Sequence, residues 1–272
     1  MTHLRFEFDH ISEETSALLI ALLSEQDFEG FEETGDSLLA FIPENQFDER
    51  AFAAVLDRLP SVAFTRSSVE QANWNAIWES GFEPVVVEDF AAVRAGFHAP
   101  VSGVEQEIVI TPKMSFGTGH HATTWMMIKS MRDIDFSNKQ VLDFGTGTGV
   151  LAILAEKLGA RSVDGIDIDE WSISNAQENA AANNCSHIEL TLSDHILPGK
   201  TYDIILANIN LNVILQSLDA LVSVSAPGTQ ALFSGFLQSD ETAMSEALQQ
   251  AGFSLTGREQ RGEWLCLKAS KN

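Results

Sequence analysis

The sequence predicts an α/β protein in two parts: a mostly parallel, Rossmann-like sheet ending in an antiparallel hairpin, preceded by a small α+β ferredoxin-like domain. Three observations carry this. From Gln140 onward, short apolar runs of strand length alternate with helically spaced segments, the pattern of right-handed βαβ crossovers in a parallel sheet. At its start, Val141-Leu-Asp-Phe-Gly-Thr-Gly-Thr-Gly149 reads as a buried strand, a glycine-rich turn and a helix opening at Val150. Ahead of both, residues 1–70 follow the order β-α-β-β-α-β of a split βαβ unit.

Leu4 to Phe8 alternates apolar and polar residues as a half-buried strand does, and Ser12-Glu-Glu-Thr-Ser opens a helix through Leu23. Phe28–Glu33 and Ser37–Ile42 are expected to pair across Thr34-Gly35, Phe47–Leu59 has helical spacing, and Val62–Val69 returns to alternation. No phosphate loop or nucleophile motif occurs here, so residues 1–70 are expected to form a recognition domain. Residues 71–80 place Trp74 and Trp78 four apart, on one face of a helical linker. The remaining 81–272 are expected to form the second domain. There, Glu83–Val93 and Gln106–Ile110 read as strands leading to Phe116-Gly-Thr-Gly-His-His-Ala-Thr-Thr124. The alternating strands follow at Val141–Asp143, Ser162–Asp167, Ile188–Leu192, Tyr202–Ala207 and Thr229–Phe233, with helices after each, notably Glu170–Ala182 and Ser239–Ala251. Phe253–Gln260 and Glu263–Ala269 have only the Gly262 region between them, hence the closing hairpin.

Composition excludes several function classes. With 44% hydrophobic residues in 272, a sizeable core is expected and disorder is not. Thirty-nine acidic against 16 basic residues leave a formal charge of −23, which disfavours direct binding to a nucleic-acid backbone and favours a basic protein or a small molecule. Cys185 and Cys266 are far apart and in no metal-type spacing, so packed thiols are expected rather than a disulfide or zinc site. No signal-peptide layout opens the chain and no run nears 18 uninterrupted apolar residues, so a cytoplasmic protein without membrane attachment is expected.

The glycine-rich turn admits two frames. From Gly147 it fits G-x-G-x-x-G/A, the dinucleotide fingerprint, with Asp167 about 20 residues on as the ribose acid. From Asp143 it fits the D-x-G-x-G-x-G turn of class I S-adenosylmethionine (SAM) methyltransferases. The terminal hairpin favours the second frame. The first predicts a nicotinamide-dependent oxidoreductase, but no tyrosine-lysine pair stands out, Tyr202 being the only tyrosine. A SAM-binding regulator without turnover is a third possibility.

Phe116–Thr124, Val141–Gly149 continuing into Leu151-Ala-Ile153, Gly165-Ile-Asp-Ile-Asp169 and Asp203-Ile-Ile-Leu-Ala-Asn-Ile209 together resemble one family: the bacterial methyltransferases of large-subunit ribosomal protein eleven, the PrmA family. Ser234-Gly-Phe-Leu237 and Gly262-Glu-Trp264 are weaker echoes. Thr146 and Thr148 stand where the family often has Cys or Ser, and His121 occupies a variable position. The resemblance implies a class I methyltransferase that trimethylates lysine side chains and the N-terminal amine of that basic protein, releasing S-adenosylhomocysteine. The free rather than the ribosome-assembled protein is the expected substrate, and another protein is the alternative.

The resemblance also implies SAM contacts from Thr124, Gly145, Asp167 and Asn208, with Phe116, Thr118, Asp143, Gly147 and Ile168 at the same site. Asp167 would accept the ribose hydroxyls, leaving Asp169 to cap the following helix. Asn208 would orient the incoming amine beside the methyl group, as the one catalytic residue and without a dedicated base. Thr118, His120 and Thr124 are expected in a loop closing over SAM, with Phe116 facing the sulfonium. Adjacent His120 and His121 point in different directions and lack a carboxylate at ligand spacing, so no metal is expected.

Overall fold

The computed structural model describes residues 2–24, 26–28, 30–34, 37–60, 62–70, 82–113, 116–196 and 198–272. The expected linker with Trp74 and Trp78 lies outside these residues. The chain divides into two compact units, Met1–Gly81 and Phe82–Asn272.

In the first unit, β1 (Thr2–Phe8), α1 (Glu13–Ser24), β2 (Gly30–Thr34), β3 (Ser37–Pro43), α2 (Glu49–Leu56) and β4 (Thr65–Glu70) form an antiparallel sheet of order β2-β3-β1-β4. This is the ferredoxin-like arrangement. Its core centres on Phe6, whose ring lies 4.5 Å from that of Phe52 and 5.5 Å from that of Phe28. Helix α2 starts where the Asp48 carboxylate accepts the Arg50 and Ala51 N–H groups. It ends at Leu56, short of the expected Leu59, because Pro60 disfavours helical geometry before it. The N–H of Val62 is then taken by the Leu59 carbonyl, which delays β4 to Thr65.

The second unit opens with β5 (Val85–Val87), β6 (Ala91–Ala95) and β7 (Gln106–Ile110), a separate sheet in which β5–β6 is antiparallel and β6–β7 parallel. The single strand expected over 83–93 is therefore a hairpin. Glu88 takes a left-handed φ of 53° and Phe90 N–H returns to the Val87 carbonyl, so the polar Glu88-Asp89 pair turns the chain out of the sheet.

Helix α3 (Ala122–Met131) follows, then β8 (Gln140–Phe144), α4 (Val150–Lys157), β9 (Ser162–Asp167), α5 (Glu170–Ala182), β10 (Ile188–Leu192) and β11 (Tyr202–Asn208). Helix α6 (Leu211–Ser223), β12 (Ser225–Leu237), α7 (Glu241–Gln250), β13 (Phe253–Arg261) and β14 (Trp264–Lys271) complete the chain. The seven strands take the order β10-β9-β8-β11-β12-β14-β13, with β14 antiparallel to both its neighbours. Successive residues of β11 feed opposite faces: Ile204 and Leu206 pack with α3, α4 and α5, and Ile205 and Ala207 with α6 and α7. Alternation over a near-continuous apolar run is what burial on both faces requires. Among the described residues, no helix is long and apolar enough to cross a membrane.

Candidate active site

The glycine-rich turn opens α4 with Gly145, Gly147 and Gly149 all at positive φ. Gly147 has a second constraint: a Cβ there would stand 2.3 Å from the Phe116 carbonyl oxygen. Only glycine allows the backbone of residues 116 and 147 to meet. Beside the turn, at the carboxyl ends of β8, β9 and β11, lies a cavity of about 710 Å³. A position outside the strand ends, where the strand order reverses, is the ligand crevice of an open α/β sheet.

Of the residues expected at the site, Phe116, Gly145, Gly147, Asp167, Ile168 and Asn208 line this cavity. The Asp167 carboxylate accepts the Gly147 N–H at 2.9 Å and the Asp169 N–H at 3.0 Å, fixing it to the turn while it faces the cavity. Asp169 caps α5, accepting the Trp171 N–H. Ile168 is 74% exposed and Phe116 52%, apolar surface left open beside the cavity. Asn208, at the end of β11, is buried; its amide donates to Thr124 Oγ at 3.2 Å, and its Oδ1 has no hydrogen-bond partner among the described residues.

Thr124 does not stand in a loop. It is buried in the first turn of α3, which His121 caps by accepting the Thr123 N–H. The Ala-Thr-Thr-Trp-Met-Met-Ile run is apolar enough to be drawn into the core as helix. Thr118 and His120 do not line the cavity: they share a hydrogen bond of 3.1 Å, and His120 Nε2 meets the Glu83 carbonyl at 3.0 Å. His121 does line it, packed between Phe116 (ring centroids 5.2 Å apart) and Trp264 (4.5 Å). Burial lowers its pKa from the ordinary histidine value, which keeps the ring neutral near pH 7.

Asp143 lies behind the wall rather than in it. Its carboxyl is buried, accepts the Thr146 hydroxyl at 2.7 Å, and has one oxygen without a partner among the described residues. Burial raises its pKa to about 7, against the lowering effect of the Thr146 hydrogen bond and with a further push from the Asp167 charge. A carboxyl whose native pKa exceeds its unfolded value stabilises the fold while protonated and loses that contribution as pH rises. The contribution, about 4 kcal/mol at most from a shift of roughly three units, is whole below pH about 4 and gone above about 7. Melting temperatures of Asp143→Asn and the unmodified chain should therefore diverge in favour of the variant between pH 5 and pH 8. Parallel curves would show that the carboxyl is ionised throughout.

The cavity also collects residues that were not named among the expected site residues: Ser193 and Asp194 after β10, Ile209, Gly235 and Trp264. Ser193 and Asp194 follow a strand end, a signal available from the sheet rule. Gly235 and Trp264 belong to the two weaker motifs, and only the neighbouring of β12 and β14 delivers them. Among the described residues no lysine or arginine lines the cavity, whereas Asp167, Asp169 and Asp194 do. Such a wall favours cationic ligands. The two thiols are inert by comparison: burial pushes that of Cys266 up to about 12 and that of half-buried Cys185 to about 11. Among the described residues, no three His, Cys, Asp or Glu side chains are grouped to hold a metal ion.

Comparison with known proteins identifies the family. The profile described as ribosomal protein L11 methyltransferase (PrmA) matches residues 13–272. The ribosomal protein L11 methyltransferase of Porphyromonas gingivalis is 39% identical, the match covering 97% of this chain and 95% of that protein. The Bacteroides fragilis enzyme of the same name is 34% identical over 98% of this chain and 99% of its own. The crystal structure of a ribosomal protein L11 methylase from Lactobacillus delbrueckii subsp. bulgaricus superposes with a TM-score of 0.66 at 29% identity, covering 70% of this chain and 100% of that one. A Pyrococcus furiosus methyltransferase, at 16% identity and TM-score 0.51 over 60% of this chain and 88% of that one, shares the fold. With the family profile running from α1 to the last residue and full-length relatives above 30% identity, the chain belongs to the ribosomal protein L11 methyltransferase (PrmA) family.

Proposed function

We propose that the chain binds SAM in this cavity and transfers methyl groups to lysine side-chain and N-terminal amines of ribosomal protein L11. The buried Asn208 Oδ1 carries the reading: on a residue that lines the cavity, a carbonyl oxygen without a donor among the described residues costs roughly 1–3 kcal/mol, a cost that an amine N–H reaching it removes. The residues present fit the cofactor. Gly145 and Gly147 present backbone to the cavity, Asp167 is the acceptor for vicinal ribose hydroxyls, and the acidic wall, without lysine among the described residues, suits a sulfonium.

SAM supplies a methyl group already activated by its positive sulfur, so the reaction as proposed calls for no metal and no strong protein base. The protein's own work is placement. Thr124 holds the Asn208 amide, and Asn208 Oδ1 takes an N–H of the acceptor so that its lone pair faces the cavity. Asp167, Asp169 and Asp194 attract the acceptor's ammonium form, and neutral His121 does not repel it. A lysine near pKa 10.4 is free amine in about one molecule per thousand at pH 7.4, worth roughly 4 kcal/mol; an N-terminal amine near 8 is far easier. Proximity and orientation supply most of the remaining rate.

The test is transfer of labelled methyl to purified, unmodified ribosomal protein L11 with mass mapping of the sites. Asp167→Ala, which removes a charged acceptor of two hydroxyls, should raise KM for SAM about a hundredfold. Label on another protein but none on L11 would replace the substrate. NAD(P)H binding in place of SAM would return the turn to its dinucleotide frame. We further propose that residues 1–70 recognise the substrate, for which undiminished transfer by a chain lacking them would be decisive against. The charge of −23 repels exposed ribosomal RNA, which favours free L11 in the cytoplasm; transfer to intact large subunits only would contradict this.

A further inference from the structure

Thr148, buried inside the glycine-rich turn, uses each of its polar groups to hold the segment that leads into the cavity. Its N–H donates to the Phe116 carbonyl at 3.0 Å, and its hydroxyl donates to the Gly117 carbonyl at 2.8 Å. Its own carbonyl accepts from Asn179 Nδ2 at 2.8 Å, and Asn179 Oδ1 accepts the Thr111 N–H at 2.7 Å. Residues 116 and 117 are thus fastened to Thr148 directly, and residue 111 through one asparagine.

The approach is built in from both sides. A Cβ on Gly117 would stand 2.8 Å from Thr148 Oγ, and one on Gly147 would stand 2.3 Å from the Phe116 oxygen. Asn175 and Asn179 on one face of α5 and Asn183 at its C-cap recur every fourth residue. Asn183 exchanges hydrogen bonds with the N–H and carbonyl of Val109, and Asn175 donates to the Thr111 carbonyl. All three serve the end of β7, but only Asn179 also reaches the turn.

We propose that Thr148 is a positioning residue for the cofactor, which sets Phe116 against the glycine-rich turn. Phe116 begins the aromatic wall that continues through His121 to Trp264, so the hydroxyl of Thr148 fixes the spacing between that wall and the turn. The proposal rests on the reading that this cavity holds SAM. Thr148 itself does not line the cavity and acts through the backbone of 116 and 117.

Titration with S-adenosylhomocysteine, beside methyl-transfer kinetics, tests it. Thr148→Val keeps the shape and leaves the Gly117 carbonyl without its donor, so affinity should fall about tenfold and KM for SAM should rise in step, with kcat within about threefold. Thr148→Ser restores the hydroxyl and should bind within about twofold of the unmodified chain. Asn183→Ala, which loosens the same strand end without touching the turn, should lower the melting temperature and leave affinity unchanged. Should Thr148→Val not fold, Asn179→Asp carries the test, since it keeps the acceptor for Thr111 and sets an oxygen against the Thr148 carbonyl, with the same tenfold loss expected. Undiminished affinity in Thr148→Val, equal loss in Thr148→Ser, or equal loss in Asn183→Ala overturns the positioning role. No binding by the unmodified chain overturns the SAM reading instead.

Discussion

Asn208→Ala is expected to lower kcat for methyl transfer by about a hundredfold to a thousandfold while S-adenosylhomocysteine binding stays within about threefold. The side chain is buried at the end of β11, with one end of its amide fixed on Thr124 Oγ and the other without a partner among the described residues. An interaction made only when the acceptor nitrogen is aligned contributes to kcat, and one made equally to bound cofactor contributes to affinity. Asn208 lies in the first class if its Oδ1 meets the amine. Thr124→Val, which retains bulk but no longer holds the amide, should show the same split at about tenfold. Single-turnover rates and calorimetry on both variants check this. A large loss of cofactor affinity with kcat intact would make Asn208 a cofactor ligand instead.

Gly235→Ala should lower stability by about 3 kcal/mol and abolish most turnover. Gly235 stands at φ 100°, at the bulge where β12 shifts register against β14. A Cβ there would lie 2.3 Å from the carbonyl oxygen of Ile209 and 2.8 Å from its nitrogen. On the other side, the Ile209 side chain already closes on Gly145, where a Cβ would meet its Cδ1 at 3.0 Å. The backbone after Asn208 is therefore held between two glycines and has nowhere to retreat. Moving it by about an ångström carries Asn208 out of line, a displacement that can cost about a hundredfold in rate. Thermal melts and kcat measured together check the result; a variant melting about 10 °C lower yet turning over normally would separate the strand end from the chemistry.

Much of this site was legible in the sequence. The turn from Asp143 to Gly149, Asp167 at the end of the next strand and Asn208 in Ala-Asn-Ile are local signals, and each stands beside or behind the cavity wall. The family motifs were legible for the same reason. Less legible was the hairpin at Glu88-Asp89, whose turn interrupts an apolar run without a glycine or proline. Helix α3 was hidden because its His121 cap and threonine-rich first turn read as loop chemistry.

Local pattern alone determined the alternating order of strands and helices, the ferredoxin-like order of the first unit, the antiparallel end of the sheet and the position of the glycine-rich turn. Those follow from hydrophobic period and from residues whose backbone freedom is their own. Tertiary structure alone decided that Trp264, from the terminal hairpin, would meet His121; that Gly235 would support Ile209; and that Thr148 would hold Phe116 and Gly117. The physical reason is that these contacts join residues tens to more than a hundred positions apart. Sheet order brings some together, backbone hydrogen bonds others, and no periodicity in the chain records either.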